Sequence, residues 1–268
     1  MDADLPPDPD LAPIRAQVYK DPRPPEYFDR FHVRSRTREP DAVYEFVRVL
    51  TTLYGLVALR LRPISAEKVP QSGPVLLAPN HFSFLDHFFV AVYLRRKVHF
   101  MAKSQLFNPP IQIVYTHGGV FPVRRGQRDE EAFKTADAIL KRGGLIVMYV
   151  EGGRSRSGEL GEAKPGIGRL ALQYGVPIVP TAIAGTERVR NWKRLQFPKV
   201  TVQFGDPVRF EQVESPTRDQ SQAASEVVFE DVRALHSRLR TEGRRGVVKA
   251  ARAARRAAVS AARRPVTR

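Results

Sequence analysis

Between residues 75 and 204 short apolar runs alternate with longer amphipathic stretches, and that alternation limits the folds open to the chain. Residues 75–78, 98–102, 120–123, 145–150, 178–184 and 200–204 have strand length and are apolar almost throughout. Residues 84–94, 129–142 and 167–174 read as helices. In the second of these Asp129 can cap the start, Phe133, Ala136, Ile139 and Leu140 form one face, and Gly143 ends it; Gly175 closes the third. Strands apolar on both faces, separated by helices, predict an α/β domain with a largely parallel sheet.

The flanks differ in character. Residues 1–42 hold eight of the 22 prolines and many charges of both signs. They predict an irregular arm, packed on the domain through Tyr27, Phe28 and Phe31. Residues 43–61 read as a helix, with Phe46, Val47, Leu50, Leu53, Tyr54 and Val57 at helical spacing. Two readings of it stay open: a helix packed on the core, or an interfacial helix beside a lipid site with Arg48, Arg60 and Arg62 near headgroups. Only eleven uncharged residues separate Arg48 from Arg60, and a membrane span needs roughly 20. The chain is therefore expected to lie on a membrane rather than cross it. The domain is placed at 43–240, with a further helix around 225–240 and a basic tail at 241–268.

Composition narrows the chemistry. There is no cysteine, which excludes disulfides, thiolate metal sites and a cysteine nucleophile. The net charge of +16 calls for a phosphate-bearing partner: nucleic acid, lipid or a small substrate. Residues 244–268 hold nine Lys or Arg and no Asp or Glu.

Four segments carry candidate chemistry. Asn80, His81, Phe82, Ser83, Phe84, Leu85 and Asp86 lie where a strand runs into a helix, the place where open α/β sheets bind ligands. His81 suits proton transfer near neutral pH, and Asp86 can orient it as in a catalytic dyad. Ser83 and Asp86 also resemble a capping box, so spacing leaves both roles open. Glu151, Gly152, Gly153, Arg154, Ser155, Arg156 and Ser157 follow a strand directly; the glycines allow close backbone approach and Arg154 can fork onto a phosphate. Gly118 to Arg125 ends a third strand in two arginines, and Val176 to Thr181 is a strand with a proline near each end. Each of the last three also reads as ordinary turn or strand sequence.

Together the four segments resemble the glycerolipid acyltransferase family, best known through the lysophosphatidate (1-acylglycerol-3-phosphate) acyltransferases. The family's N-H-x-x-x-x-D motif is matched by Asn80, His81 and Asp86, and its Gly-x-x-Phe-x-x-Arg segment by Gly118, Phe121 and Arg124. Its Glu-Gly-Thr-Arg-Ser motif is matched by Glu151, Gly152, Arg154 and Ser155, and its Val-Pro-x-x-Pro strand by Pro177 and Pro180. The resemblance covers roughly residues 70–210 and departs at Gly153, where the family has Thr. It implies a mixed, mainly parallel sheet flanked by helices, preceded by an N-terminal helical segment. It implies acyl transfer from an acyl thioester, acyl-CoA or acyl carrier protein, to the hydroxyl of a lysophosphatidate-type acceptor in phospholipid biosynthesis. His81 would remove the hydroxyl proton and Asp86 would orient His81. Arg124 and Arg154 would hold the acceptor phosphate, with Gly152 and Ser155 in the binding loop. Glu151 would bind acceptor hydroxyls or position Arg154.

No metal and no cofactor beyond the thioester co-substrate are expected; His87 beside Asp86 is the one hint of a metal ligand. Other lyso-lipid acceptors, or a non-catalytic protein holding anionic lipid or nucleic acid, are the alternatives. The basic tail is expected to bind an anionic membrane surface rather than nucleic acid. Arg244, Arg245, Lys249, Arg252, Arg255, Arg256 and Arg263 would share one broad helix face. The expected location is the cytoplasmic face of the cell membrane, peripheral or monotopic.

Overall fold

Residues Val75–Pro79 form strand β2, and all five are buried, so both faces of this strand must be covered. Side chains alternate across a strand, and here Val75 and Leu77 enter one apolar cluster while Leu76 and Ala78 enter another. The computed structural model describes residues 21–126, 129–155, 157–189 and 197–262, with side chains to 260. Its sheet has seven strands: β1 (Arg62–Ile64), β2, β3 (His99–Lys103), β4 (Val120–Val123), β5 (Leu145–Val147), β6 (Ile178–Ala184) and β7 (Thr201–Phe204). Their order is β1-β7-β6-β2-β5-β3-β4. The five from β6 to β4 run parallel, whereas β7 pairs with β6 antiparallel and β1 pairs with β7 parallel. The sheet is thus mixed and mainly parallel.

Helices cover both faces. On one lie α2 (Ala42–Val57) and α3 (Asp86–Ala91), which contribute Tyr44, Phe89 and Val90 to the first cluster. On the other lie α5 (Glu130–Lys141), α6 (Gly166–Tyr174) and α8 (Arg218–Thr241), whose Ile139, Leu170 and Phe229 join the second. Asp129 caps α5 by accepting from Ala132 N–H. Thr217 and Gln220 close a reciprocal capping box on α8. Short helices α4 (Ile111–His117) and α7 (Thr186–Val189) fill connections, and α9 (Gly243–Ala262) ends the described chain.

Several expectations need correction. Residues 21–42 are not irregular: Asp29–Thr37 is helix α1, preceded by a turn of 3-10 helix at Pro25–Phe28. Phe28 and Phe31 are buried with Phe107, and Tyr27 packs against them, as expected of these three aromatic residues. The arm's first 20 residues lie outside the described ones. The strand expected at 145–150 stops at Val147, although Met148 and Val150 N–H still donate to the β2 carbonyls of Leu77 and Pro79. The helix expected at 84–94 is confined to Asp86–Ala91 because residues 83–85 form the turn that serves the site. The helix read at 43–61 spans Ala42–Val57 and is two-sided: Tyr44 and Gly55 are buried, whereas Phe46 is 64% and Val57 82% exposed, and Val49, Leu50 and Leu53 are exposed with them. No described helix is long and apolar enough to cross a membrane.

Candidate active site

The parallel strands send their carboxyl ends to one edge of the sheet, and the neighbours β2, β5, β3 and β4 each deliver polar groups there. Asn80 follows β2 and never reaches solvent. Its Nδ2 donates to the Ile183 carbonyl (3.0 Å) and its Oδ1 accepts from Ile183 N–H (2.7 Å), tying the loop to β6. His81 comes next. Its Nδ1 lies 2.8 Å from Asp86 Oδ2. A carboxylate can only accept, so the proton sits on Nδ1 and Nε2 carries the free lone pair. The same Asp86 oxygen also accepts from the N–H groups of Phe82 and Ser83, both at 2.7 Å. The carboxylate therefore holds the turn that precedes α3 while it orients the imidazole; it is not a helix cap, since α3 begins at Asp86 itself with Leu85 in the N-cap position and no side-chain cap hydrogen bond. Ser83 Oγ accepts from Leu85 N–H at 3.3 Å within the same turn.

The His81 ring is clamped. It stacks on Tyr149, with centroids 3.8 Å apart and planes 16° from parallel. Burial holds the His81 pKa below its ordinary value, outweighing the Asp86 hydrogen bond that favours the cation. The ring is thus neutral and basic at neutral pH. Burial also raises the Tyr149 hydroxyl well above its usual range, and that hydroxyl lies 3.4 Å from His87 Nδ1. His87 is pushed down to about 3, first by burial and then by the nearby His81.

The loop after β5 fixes the His81 backbone from both sides. Glu151 Oε1 accepts from His81 N–H (2.8 Å), and Ser155 N–H donates to the His81 carbonyl (2.8 Å). The second Glu151 oxygen accepts from Gly161 N–H at 2.9 Å. Each Glu151 oxygen thus accepts one backbone N–H, and the carboxylate holds the His81 backbone in place. Burial raises its pKa to about 7 against the pull of those two N–H donors. Gly152 turns the chain with φ +66°, a conformation that favours glycine. Ser155 Oγ accepts from Gly158 N–H at 3.1 Å, closing the loop on itself. Arg156 lies outside the described residues.

These groups open onto one cavity of 690 Å³. Its polar lining includes His81, Ser83, His87, Lys103, Arg125, Tyr149 and Arg154. Its apolar walls come from α2 (Tyr44, Val47, Tyr54), α3 (Phe84, Leu85, Phe88), β3 (Phe100 to Ala102) and α4 (Val114, Tyr115). The Lys103 pKa is lowered, first by burial and then by Arg154 and Arg125. Three cations converge closely enough to repel, an arrangement that an anion of two negative charges would relieve.

Arg125, one residue further past the end of β4, is among the residues that line the cavity, and Arg124 is not. The Arg124 backbone N–H donates to Asp129 Oδ2 at 2.6 Å. Lys103 and Tyr149 are residues that sequence reasoning missed, and Arg125 enters it only as the second of two arginines ending a strand. Lys103 had a usable signal, since it ends a strand as His81 follows one. Among the described residues no cluster of three His, Cys, Asp or Glu could hold a metal ion.

The model of the Acyltransferase family matches residues 60–184. A chloroplastic 1-acyl-sn-glycerol-3-phosphate acyltransferase of Brassica napus is 32% identical over 127 residues, 46% of this chain and 37% of that protein. Human 1-acyl-sn-glycerol-3-phosphate acyltransferase beta is 30% identical over 162 residues, 59% of this chain and 57% of that protein. The matched stretch spans less than two thirds of the length of either relative. Among solved structures, the 1-acyl-sn-glycerophosphate acyltransferase of Thermotoga maritima shares the fold, with a TM-score of 0.56 at 23% identity, over 78% of this chain and 88% of that one.

Proposed function

We propose, from the match of the Acyltransferase family model to residues 60–184, that the cavity moves a fatty acyl group from an acyl thioester to the free hydroxyl of a lysophosphatidate-type glycerol phosphate. The observation that carries this reading is the meeting, in one cavity, of a neutral histidine oriented by a carboxylate, three cations and long apolar walls. His81 Nε2 removes the acceptor's hydroxyl proton as the oxygen attacks the thioester carbonyl. Imidazole is far too weak a base to ionise an alcohol beforehand, so proton removal accompanies attack. The thiolate leaves the tetrahedral intermediate, and the proton held by His81 can pass to it. Asp86 orients the ring and stabilises its transient cation. Arg154, Arg125 and Lys103 hold the phosphate, and the apolar walls hold acyl chains. Glu151 and Ser155 position His81 through its backbone. No acyl-enzyme is needed.

The membrane side of the reading rests on α2. One side of this helix lines the cavity, while Phe46, Val49, Leu50, Leu53 and Val57 face outward. An exposed apolar face of that extent suits a bilayer surface, from which a lyso-lipid reaches the cavity past α2. This is peripheral or monotopic attachment. The test is mass spectrometry of products from the purified chain given a panel of lyso-acceptors with acyl-CoA or acyl carrier protein thioesters. Phosphatidate formed from lysophosphatidate is the expected product. Acylation of a phosphate-free monoacylglycerol at an equal rate would overturn the acceptor assignment, and no acylation of any acceptor would overturn the reaction.

A further inference from the structure

Helix α9 is half docked and half free. It leaves α8 at Gly243, where φ is +65°. Val247 is buried beside Ile64, Ala182 and Leu239. The Arg244 guanidinium donates to Thr201 Oγ1 at 2.8 Å and to the carbonyls of Arg60 and Val200, both at 2.7 Å. Arg244 therefore belongs to the docking contact, not to the outer cationic face expected of it; Arg263 lies outside the described residues. From residue 252 to 260 every side chain is exposed.

Arg245, Lys249, Arg252 and Arg256 recur at i, i+4, i+7 and i+11, so they form a single stripe turned away from Val247. Like charges four apart weaken a helix, and here nothing local neutralises them. No acidic residue follows Glu242, which is itself paired with Arg238. The alanines between the cations offer little to insert into lipid. The docked end of α9 is held by the Arg60 carbonyl, three residues beyond the end of α2. The cationic stripe thus starts beside the helix whose exposed apolar face is assigned above to the bilayer.

We propose that the Arg245–Lys249–Arg252–Arg256 stripe of α9 is an electrostatic docking surface for the anionic lipid headgroups of the membrane that α2 meets. The proposal rests on the membrane reading of α2. Charge complementarity selects an anionic surface, and the neighbouring apolar face selects lipid over nucleic acid, which would leave α2 uncovered. Attachment then has two parts: a salt-insensitive apolar contact through α2, and a salt-screened contact through α9.

Vesicle co-sedimentation of the full chain tests it, with phosphatidylcholine vesicles containing or lacking phosphatidylglycerol, at low and high salt. The variant R245Q/R252Q/R256Q keeps Arg244 and Val247, so the docked turns and the melting temperature are preserved. Each cation near an anionic leaflet is worth about fivefold in partitioning, so the triple change lowers binding to anionic vesicles by roughly a hundredfold at low salt. Binding to neutral vesicles stays as it was, and high salt erases the difference. Unchanged binding to anionic vesicles would overturn the proposal. So would loss of affinity for duplex DNA with vesicle binding retained, since that places nucleic acid on the stripe. L50E/L53E in α2 separates the two readings, because it lowers binding to neutral and anionic vesicles alike. Its failure to do so would overturn the α2 assignment and with it the two-part attachment, whereas the salt-dependent loss in R245Q/R252Q/R256Q reads the stripe by itself.

Discussion

Both ends of the sheet contain buried strands, β7 at one and β3 with β4 at the other, yet only one end carries chemistry. From β6 to β4 five strands run in one direction, and the four from β2 to β4 place His81, Arg154, Lys103 and Arg125 along one edge. At the other end β7 turns back and β1 follows it, so their carboxyl ends point away from that edge. There Val202 and Ile64 pack, Thr201 Oγ1 accepts from the Arg244 guanidinium, and the edge is closed by Arg244 and Val247 of α9. Strand direction, not strand composition, decides where a site can form, because only parallel neighbours gather their following loops in one place.

The sharpest way to break this comparison is one substitution at each end. His81→Ala removes the proposed base and should lower kcat by at least 10²–10⁴-fold, the usual range for lost acid–base catalysis, roughly 3–5 kcal/mol. Melting should barely move. Burial favours the neutral imidazole, so the acid limb of kcat/KM in the parent protein should fall below the ordinary histidine value of about 6.5. Ile64→Ala does the reverse. Ile64 is 4% exposed, in the cluster with Val247, and its truncation should cost about 2–5 kcal/mol of stability. Turnover below the melting point should be unchanged. A purified His81→Ala protein that keeps a tenth of parental turnover, or an Ile64→Ala protein that folds normally but is inactive, would erase the distinction.

A smaller effect separates two adjacent arginines. Arg125→Ala and Arg154→Ala each remove a charge-assisted contact worth roughly 1.5–3 kcal/mol, or about 10–150-fold in kcat/KM for the phosphorylated acceptor. Lysine at either position should restore little, because it lacks the planar fork. Arg124→Ala lies outside the cavity wall and should change kcat/KM by no more than about twofold. Steady-state kinetics with lysophosphatidate and with its dephosphorylated analogue checks this. If Arg124→Ala costs more than Arg125→Ala, the wall assignment is wrong.

What the sequence disclosed follows the same division. Residues 178–184 were legible as a strand to the residue because seven uncharged, mostly apolar positions lie between turn signals. Strand β1, Arg-Pro-Ile at the sheet's edge, was not, because an edge strand with one buried residue has no apolar run. Helix α4 was missed because Ile111, Ile113 and Val114 are β-branched and exposed, so neither propensity nor periodicity marks it. At the site, the five-residue spacing of His81 and Asp86 left dyad and cap open, and the resemblance to the Asn-His-x-x-x-x-Asp motif favoured the dyad. Lys103 and Arg125 were not legible, because a cation at a strand end is usually solvated and only the order β2-β5-β3-β4 brings these two beside Arg154. The backbone hold of Glu151 on His81 and Gly161 was not legible, since backbone partners leave no mark in the sequence.

The smallest effect is expected at Gly153, where the chain departs from the family's threonine. Gly152 beside it needs its positive φ, but Gly153 is not among the residues with positive φ. A side chain there meets no backbone penalty. Replacing such a glycine narrows the unfolded ensemble and is worth about 0.4–1 kcal/mol. Gly153→Thr should therefore raise the melting temperature by about 1–4 °C while kcat stays within a factor of about two, because the His81 clamps come from Glu151 and Ser155 rather than from this residue. Gly152→Thr, in contrast, should be destabilising: its φ is +66° and an added Cβ would lie 3.3 Å from Lys164 Cγ. Thermal melts of the two variants, read beside kcat, decide the matter. If Gly153→Thr lowered both stability and turnover, the second glycine would be a requirement of this loop rather than a vacancy in its motif. The site's carboxyl edge would then depend on loop backbone more closely than strand direction alone implies.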